Sequence, residues 1–107
     1  MTLRKVAATG DIPEGEARGF VVDGHGIAVA NLGDGQFRAV DDICSHAYSR
    51  LSEGEVDVDF ETIECPKHGS TFDLDTGKPR TLPATMPVRV YTTKVEGDDI
   101  LIEVNGD

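Results

Sequence analysis

The sequence is poor in several features that define other classes of protein. It has no tryptophan, only two cysteines and only 6% aromatic residues. Two cysteines cannot build the dense disulfide framework of a small secreted domain. No stretch approaches the ~18 apolar residues that a membrane-spanning helix needs, and the N-terminal segment lacks the apolar region of a signal peptide. We therefore expect a protein of the reducing cytoplasm without membrane contact.

Positive charge is also scarce. Ten Lys and Arg residues stand against twenty Asp and Glu residues, so the formal net charge is −10. Nucleic-acid backbones and anionic lipid surfaces both attract basic faces, and this balance argues against either as a partner. At 107 residues the chain has the usual length of one domain. We therefore expect residues 1–107 to form a single domain.

The two ends of the chain carry β-strand signals. In the first part, the apolar runs 19–22 and 26–30 flank Asp23-Gly24-His25, which is typical of a hairpin. Near the other end, the alternating segments 88–95 and 100–104 flank a second turn. No convincing helix is present. The pattern predicts an all-β scaffold built from residues 1–40 and 84–107.

The middle of the chain, residues 41–83, differs from both ends. It is rich in Gly, Ser, Thr and acidic residues, and it contains both cysteines. We interpret it as a subdomain inserted between scaffold strands and held together partly by something other than apolar burial.

An acidic stretch within this middle part contains no basic residue. Its odd-numbered carboxylates from position 53 to position 61 predict an extended strand with one acidic face. We interpret that face as solvated, because a line of carboxylates does not supply the loop that a calcium site needs. The members of the stretch are Glu53, Glu55, Asp57, Asp59, Glu61 and Glu64.

Four residues with metal-binding side chains occur in two short motifs. These are Cys44-Ser45-His46 and Cys65-Pro66-Lys67-His68, and each offers one thiolate and one imidazole. All four could hold one zinc ion, or the two Cys and the two His could each bind one iron of a two-iron cluster. Zinc sites usually group like ligands in one loop, so the mixed motifs favour the cluster.

These motifs, together with Gly69-Ser70-Thr71-Phe72-Asp73 and Thr76-Gly77-Lys78-Pro79, resemble the signature of Rieske [2Fe–2S] proteins. More specifically, residues 42–46 and 51–54 resemble the small ferredoxins of bacterial ring-hydroxylating dioxygenase systems. It implies the Rieske fold, an antiparallel β-sandwich scaffold with an inserted cluster-binding subdomain at about 41–83.

The resemblance also implies a ligand set and a third loop. One [2Fe–2S] cluster per chain would have Cys44 and Cys65 on its inner iron, with His46 and His68 on its outer, solvent-facing iron. Residues 82–87 resemble the loop that covers the third side of such a cluster.

The implied function is one-electron transfer, by a carrier that is not itself an enzyme. The donor would be a flavin reductase that uses NAD(P)H, and the acceptor would be a terminal oxygenase. The partners would bind transiently to a monomer of this chain. Two alternatives stay open: a Rieske ferredoxin or reductase small subunit of another pathway, such as iron–sulfur assembly, and a structural zinc-binding module. A terminal oxygenase is excluded, because only His25 would be left for its mononuclear iron.

Two departures from other Rieske relatives are informative. Ser49 and Lys67 stand where respiratory relatives have a pair of disulfide-forming cysteines, so no disulfide is possible. Phe72 replaces a tyrosine that donates a hydrogen bond to cluster sulfur in relatives with high reduction potentials, although Ser70 matches a second such donor. Losing hydrogen bonds to sulfur destabilises the reduced state. We expect a potential toward the low end of the Rieske range of roughly −150 to +300 mV. A redox titration that gave a value above about +200 mV would contradict this expectation.

Overall fold

The computed structural model describes residues 2–44, 49–67, 69–82 and 84–104. Short 3-10 turns occur at Thr9–Asp11 and Leu51–Glu53. No helix among the described residues is long and apolar enough to cross a membrane. The described residues also form ten β-strands, which are β1 (Thr2–Ala8), β2 (Ala17–Val22), β3 (His25–Gly33), β4 (Gln36–Asp41), β5 (Val56–Asp57), β6 (Thr62–Glu64), β7 (Thr71–Asp73), β8 (Val90–Tyr91), β9 (Thr93–Glu96) and β10 (Asp99–Val104).

These strands form three antiparallel sheets, so the predicted all-β class is confirmed. The outer sheet has the order β1-β10-β9, the central sheet β2-β3-β4-β8 and the small sheet β5-β6-β7. Both predicted hairpins are present, as β2–β3 and β9–β10. At the first turn, Asp23 and Gly24 have φ angles of 49° and 83°. A two-residue hairpin turn that matches the strand twist needs this pair of positive angles.

Strand β3 is the central element, because it is buried on both faces. Alternate side chains of a strand point to opposite sides of the sheet. Ile27 and Val29 pack into the core shared with the outer sheet, which includes Ile100. Ala28 and Ala30 pack into a second core, shared with the small sheet and both cysteines. One strand therefore connects the scaffold to the part of the molecule that carries the cysteine motifs.

The segment 88–95 is not the single strand that its alternation predicts. Strand β8 pairs with β4 in the central sheet, through Tyr91 and Ala39, whereas β9 pairs with β10 in the outer sheet. The chain changes sheets at Thr92, whose carbonyl accepts a hydrogen bond from the Glu103 amide at 2.9 Å. Strand β1, for which the sequence analysis identified no separate strand signal, completes the outer sheet beside β10.

The prediction that the acidic stretch forms one extended strand is wrong. The stretch runs through a 3-10 turn, strand β5, a reversal and strand β6. The Phe60 amide donates to Asp57 Oδ1 at 3.1 Å, and Glu61 has a φ of +53°. These features turn the chain so that β5 and β6 pair as a hairpin. The carboxylates consequently do not form one continuous strand face.

The small sheet lies within residues 41–83 and contacts the scaffold through a shared core and one arginine. Ile63 of β6 shares a core with Ala30 of β3. Arg38 of β4 lies 3.7 Å from a Glu61 carboxylate oxygen and 3.4 Å from one of Asp75. Both parts of the chain contribute to the core that contains Ile63 and Ala30. These contacts do not separate a scaffold from an inserted subdomain, so that division stays a prediction.

A partly buried polar network joins the end of β4 to β8. The Tyr91 hydroxyl donates to Asp41 Oδ1 at 2.7 Å, and the Arg89 amide donates to Asp41 Oδ2 at 3.2 Å. The Arg89 guanidinium lies 5.0 Å from the centre of the Tyr91 ring. Burial, followed by the hydrogen bond to Asp41, raises the pKa of Tyr91 to about 12.

Tyr91 should therefore make stability fall at alkaline pH. Because the pKa of Tyr91 is raised in the folded protein, Tyr91 contributes fully to the free energy of unfolding below the ordinary tyrosine pKa of 10.0. This contribution is lost as pH rises through about 12. We expect Tyr91→Phe to lower the free energy of unfolding by roughly 1–3 kcal/mol at neutral pH, because a hydrogen bond to a carboxylate is lost. The variant should also show a weaker fall above about pH 10. Urea unfolding across this range measures both effects, and equal alkaline slopes in the two proteins would contradict the assignment.

Candidate metal centre

The two cysteines begin two loops that are closed in the same way. Cys44 follows β4, and its amide donates to the Ser49 carbonyl at 2.9 Å. Cys65 follows β6, and its amide donates to the Ser70 carbonyl at 2.7 Å. In each case the bond joins the cysteine to the fifth residue after it. The backbone therefore closes both loops with the same pairing, and a cysteine lies at the base of each.

Both thiols lie in one apolar core. Cys44 is 4% exposed and Cys65 is 0% exposed. Both belong to the core that contains Leu51, Ile63 and Phe72. Thiolates are the preferred ligands of iron in iron–sulfur clusters. Two sulfur donors shielded from water on the inner side of two loops fit the inner iron of such a cluster.

The two predicted histidine ligands, His46 and His68, lie outside the described residues. Each belongs to one of the two closed loops, between Cys44 and Ser49 or between Cys65 and Ser70. Within the described ranges, no group of three or more His, Cys, Asp or Glu side chains is placed to hold a metal ion. The structure therefore brings together the cysteine half of the predicted ligand set.

Asp42 anchors the first loop, a role that the sequence analysis missed. Its amide donates to the Gly26 carbonyl at 3.0 Å, and its carbonyl accepts from the Leu51 amide at 2.6 Å. Its side chain, in a residue only 5% exposed, accepts from the Ser52 amide at 2.9 Å. A Cβ at Gly19 would lie 2.8 Å from Asp42 Oδ2. Asp42 and Gly19 are far apart in the sequence, so no local sequence pattern indicates that they lie in contact.

Ser70 holds a third segment against the second loop. Its side chain is fully buried, and its hydroxyl oxygen accepts a hydrogen bond from the Ala84 amide at 3.0 Å. Nearby, the Thr71 amide donates to Thr81 Oγ1 at 2.8 Å. Thr81 and Ala84 are therefore held beside the end of the Cys65 loop, and Pro83 lies outside the described residues. Leu82 projects outward and is 77% exposed.

Asp73 stabilises the turn between β7 and this third segment. Its Oδ1 accepts from the Asp75 amide at 2.8 Å and from the Thr76 amide at 3.0 Å, while Arg80 donates to Oδ2 at 3.0 Å. Burial by itself raises the pKa of Asp73, but these donors outweigh burial and lower the pKa overall. The ionised carboxylate therefore fixes the turn that returns the chain toward the cysteine loops.

Comparison with known proteins identifies relatives along almost the whole chain. The protein-family model for the Rieske [2Fe-2S] domain matches residues 2–92 of this chain. The ferredoxin component of biphenyl 2,3-dioxygenase from Rhodococcus jostii (strain RHA1) is 42% identical over 106 residues, which cover 99% of this chain and 96% of that protein. The 3-phenylpropionate/cinnamic acid dioxygenase ferredoxin subunit of Escherichia coli (strain K12) is 46% identical over 94 residues, covering 88% and 86%.

Solved structures give the same result. The ferredoxin of carbazole 1,9a-dioxygenase from Nocardioides aromaticivorans IC177 matches with a TM-score of 0.90 at 35% identity, covering 95% of this chain and 97% of that chain. A chain from the complex of reduced oxygenase and oxidized ferredoxin in carbazole 1,9a-dioxygenase matches with a TM-score of 0.85 at 37% identity, covering 94% and 91%. The chain therefore belongs to the Rieske [2Fe–2S] domain family, which confirms the fold and the cofactor that the sequence predicts.

Proposed function

We propose that this chain is the ferredoxin component of an aromatic-ring dioxygenase system, carrying single electrons to a terminal oxygenase. The observation that carries the proposal is the reciprocal coverage with the biphenyl dioxygenase ferredoxin component, 99% of this chain and 96% of that protein. The match therefore extends over nearly the full length of both chains. The matching chain in the complex of oxygenase and ferredoxin supports an oxygenase as the acceptor.

The proposed ligands are Cys44 and Cys65 on the inner iron and His46 and His68 on the outer iron. The buried position of both cysteines in one core supports the first pair. The placement of each histidine within a loop that starts at a cysteine supports the second pair. The bound cluster supplies reversible one-electron chemistry. The protein keeps water from the thiolates, and the closed loops limit how far the ligands can move.

The wider arrangement follows from the same proposal. The electron donor is a flavin reductase that oxidises NAD(P)H, and the chain works in the cytoplasm as a monomer. Residues 1–107 form one domain, in which 41–83 bind the cluster and 1–40 and 84–107 form the scaffold. Both partners bind transiently, which suits a small contact area.

A reconstituted reaction tests the function. The chain is combined with a flavin reductase, NADH and the oxygenase component of a biphenyl dioxygenase, and dihydroxylated product is measured. We expect product formation to depend on this chain. A fully cluster-loaded protein that is reduced but passes no electrons to the oxygenase would contradict the proposed role.

Cysteine substitution of a predicted histidine ligand tests the ligand set. A thiolate adds negative charge at the iron, so we expect His68→Cys or His46→Cys to lower the reduction potential or to abolish cluster binding. Iron and acid-labile sulfide analysis, visible absorption, and EPR of the dithionite-reduced protein measure these effects. His25→Cys is the matched control, because His25 starts β3 in the scaffold. An unchanged spectrum and potential in both ligand variants would show that the assignment is wrong.

Removal of the Ser70 hydroxyl tests the attachment of the third segment. Ser70→Ala leaves the buried Ala84 amide without its acceptor, so we expect the free energy of unfolding to fall by roughly 1–3 kcal/mol. Hydrogen exchange should accelerate at the amides of Thr81, Leu82 and Ala84, and the visible absorption of the cluster should decay faster in air. Exchange in β10 is the internal control. If hydrogen exchange accelerated equally in β10, the substitution would have destabilised the whole fold. That result would contradict a local role of Ser70 in attaching the third segment.

A further inference from the structure

We infer that the surface around the two cysteine loops binds a carboxylate-bearing face of a partner redox protein, with Arg50 and Lys67 as its cationic contacts. This inference rests on the proposed electron-carrier function. We call this region the loop surface and define it by five exposed residues, which are Ile43, Arg50, Lys67, Leu82 and Met86.

The ion pairs of the chain distinguish the cations of the loop surface from most others. Six of the ten Lys and Arg residues lie within 4.0 Å of a carboxylate of the chain, namely Arg4, Lys5, Arg18, Arg38, Arg80 and Lys94. Within the part of the chain that the structure describes, Arg50 and Lys67 form no such pair. This is unexpected where acidic residues outnumber basic residues two to one. Both charges are therefore available to an external anion.

Each cysteine loop presents one of these two cations. Arg50 faces Ile43 in an isolated β-bridge that closes the base of the first loop. Lys67 lies two residues after Cys65, within the second loop, and both cations are exposed. Of the four cations that form no ion pair within the described part of the chain, two therefore lie on the cysteine loops, although the net charge is −10.

Apolar side chains accompany the two cations. Ile43 is 46% exposed, Leu82 is 77% exposed and Met86 is 63% exposed. Leu82 belongs to the segment that Ser70 holds against the Cys65 loop. Large apolar side chains that gather on neighbouring loops commonly mark protein contact sites, because covering them removes apolar area from water.

Charge complementarity indicates the chemistry of the partner face. The exposed carboxylates of the β5–β6 hairpin repel an acidic partner from that side of the molecule, whereas Arg50 and Lys67 attract it to the loops. A partner protein with carboxylates around an apolar patch would pair with Arg50 and Lys67 and would cover Leu82. Repulsion elsewhere would then set the orientation and bring the partner close to the cluster.

Electron transfer to two small oxidants of opposite charge tests the inference without a protein partner. Ferricyanide is a trivalent anion and hexaammineruthenium(III) is a trivalent cation, and each takes one electron from the reduced cluster. The ratio of the two rate constants in stopped-flow experiments reports the local charge at the exit point. A change in reduction potential moves both rates in the same direction, so the ratio separates local charge from driving force.

The double variant Arg50→Gln/Lys67→Gln should lower the ferricyanide-to-ruthenium rate ratio by about tenfold at low ionic strength. The matched control is Lys5→Gln/Lys94→Gln, which changes the net charge equally. Lys5 lies on β1 and Lys94 lies on β9, both in the outer sheet, whose core contains neither cysteine. The control should keep the ratio within about twofold of the wild-type value, because distant exposed charges are screened.

Three results would overturn the inference. An unchanged ratio in the Arg50/Lys67 variant would show that these cations do not act at the exit point. An equal fall in the control would assign the effect to net charge. A wild-type preference for the ruthenium cation that the variants do not change would indicate exit through an acidic surface. A protein without visible cluster absorption would react with neither oxidant, and that outcome would refute the proposed function itself.

Discussion

Burial of Cys44 and Cys65 in one apolar core is the constraint on which the site depends. The core is assembled from the central sheet on one side and the small sheet on the other, and β3 contributes to it through Ala28 and Ala30. The opposite face of β3 packs against the outer sheet through Ile27. The scaffold thus supports the cysteine loops directly, because displacing β3 would disturb both cores at once.

The two cysteine loops have shielded bases, and exposed described residues lie close to those bases. Backbone bonds from Cys44 to Ser49 and from Cys65 to Ser70 close the bases. The Ser70 hydroxyl then ties Ala84 to the second loop. These contacts leave Leu82 exposed at the same end of the molecule. A carrier that exchanges electrons with transient partners needs this combination, since the metal ligands require protection while the partner requires access.

The parts of the fold that the sequence predicts correctly depend on neighbouring residues. The β2–β3 hairpin is predictable because Asp23-Gly24 favours the turn and the flanking runs are apolar. The split of 88–95 into β8 and β9 is not predictable in this way, because it depends on pairing with two different sheets. The acidic hairpin is missed for a similar reason. A hydrogen bond from the Phe60 amide to Asp57 overrides the alternation of the carboxylates.

The sequence by itself determined the all-β class and the Rieske signature that contains both cysteines, because spacing and residue chemistry are local properties. Only the tertiary structure decided that Cys44 and Cys65 share one core, that Asp42 fixes the first loop beside Gly19, and that Ser70 holds Ala84. These contacts join residues distant along the chain. Their formation depends on how the sheets pack, and no single segment of sequence carries that information.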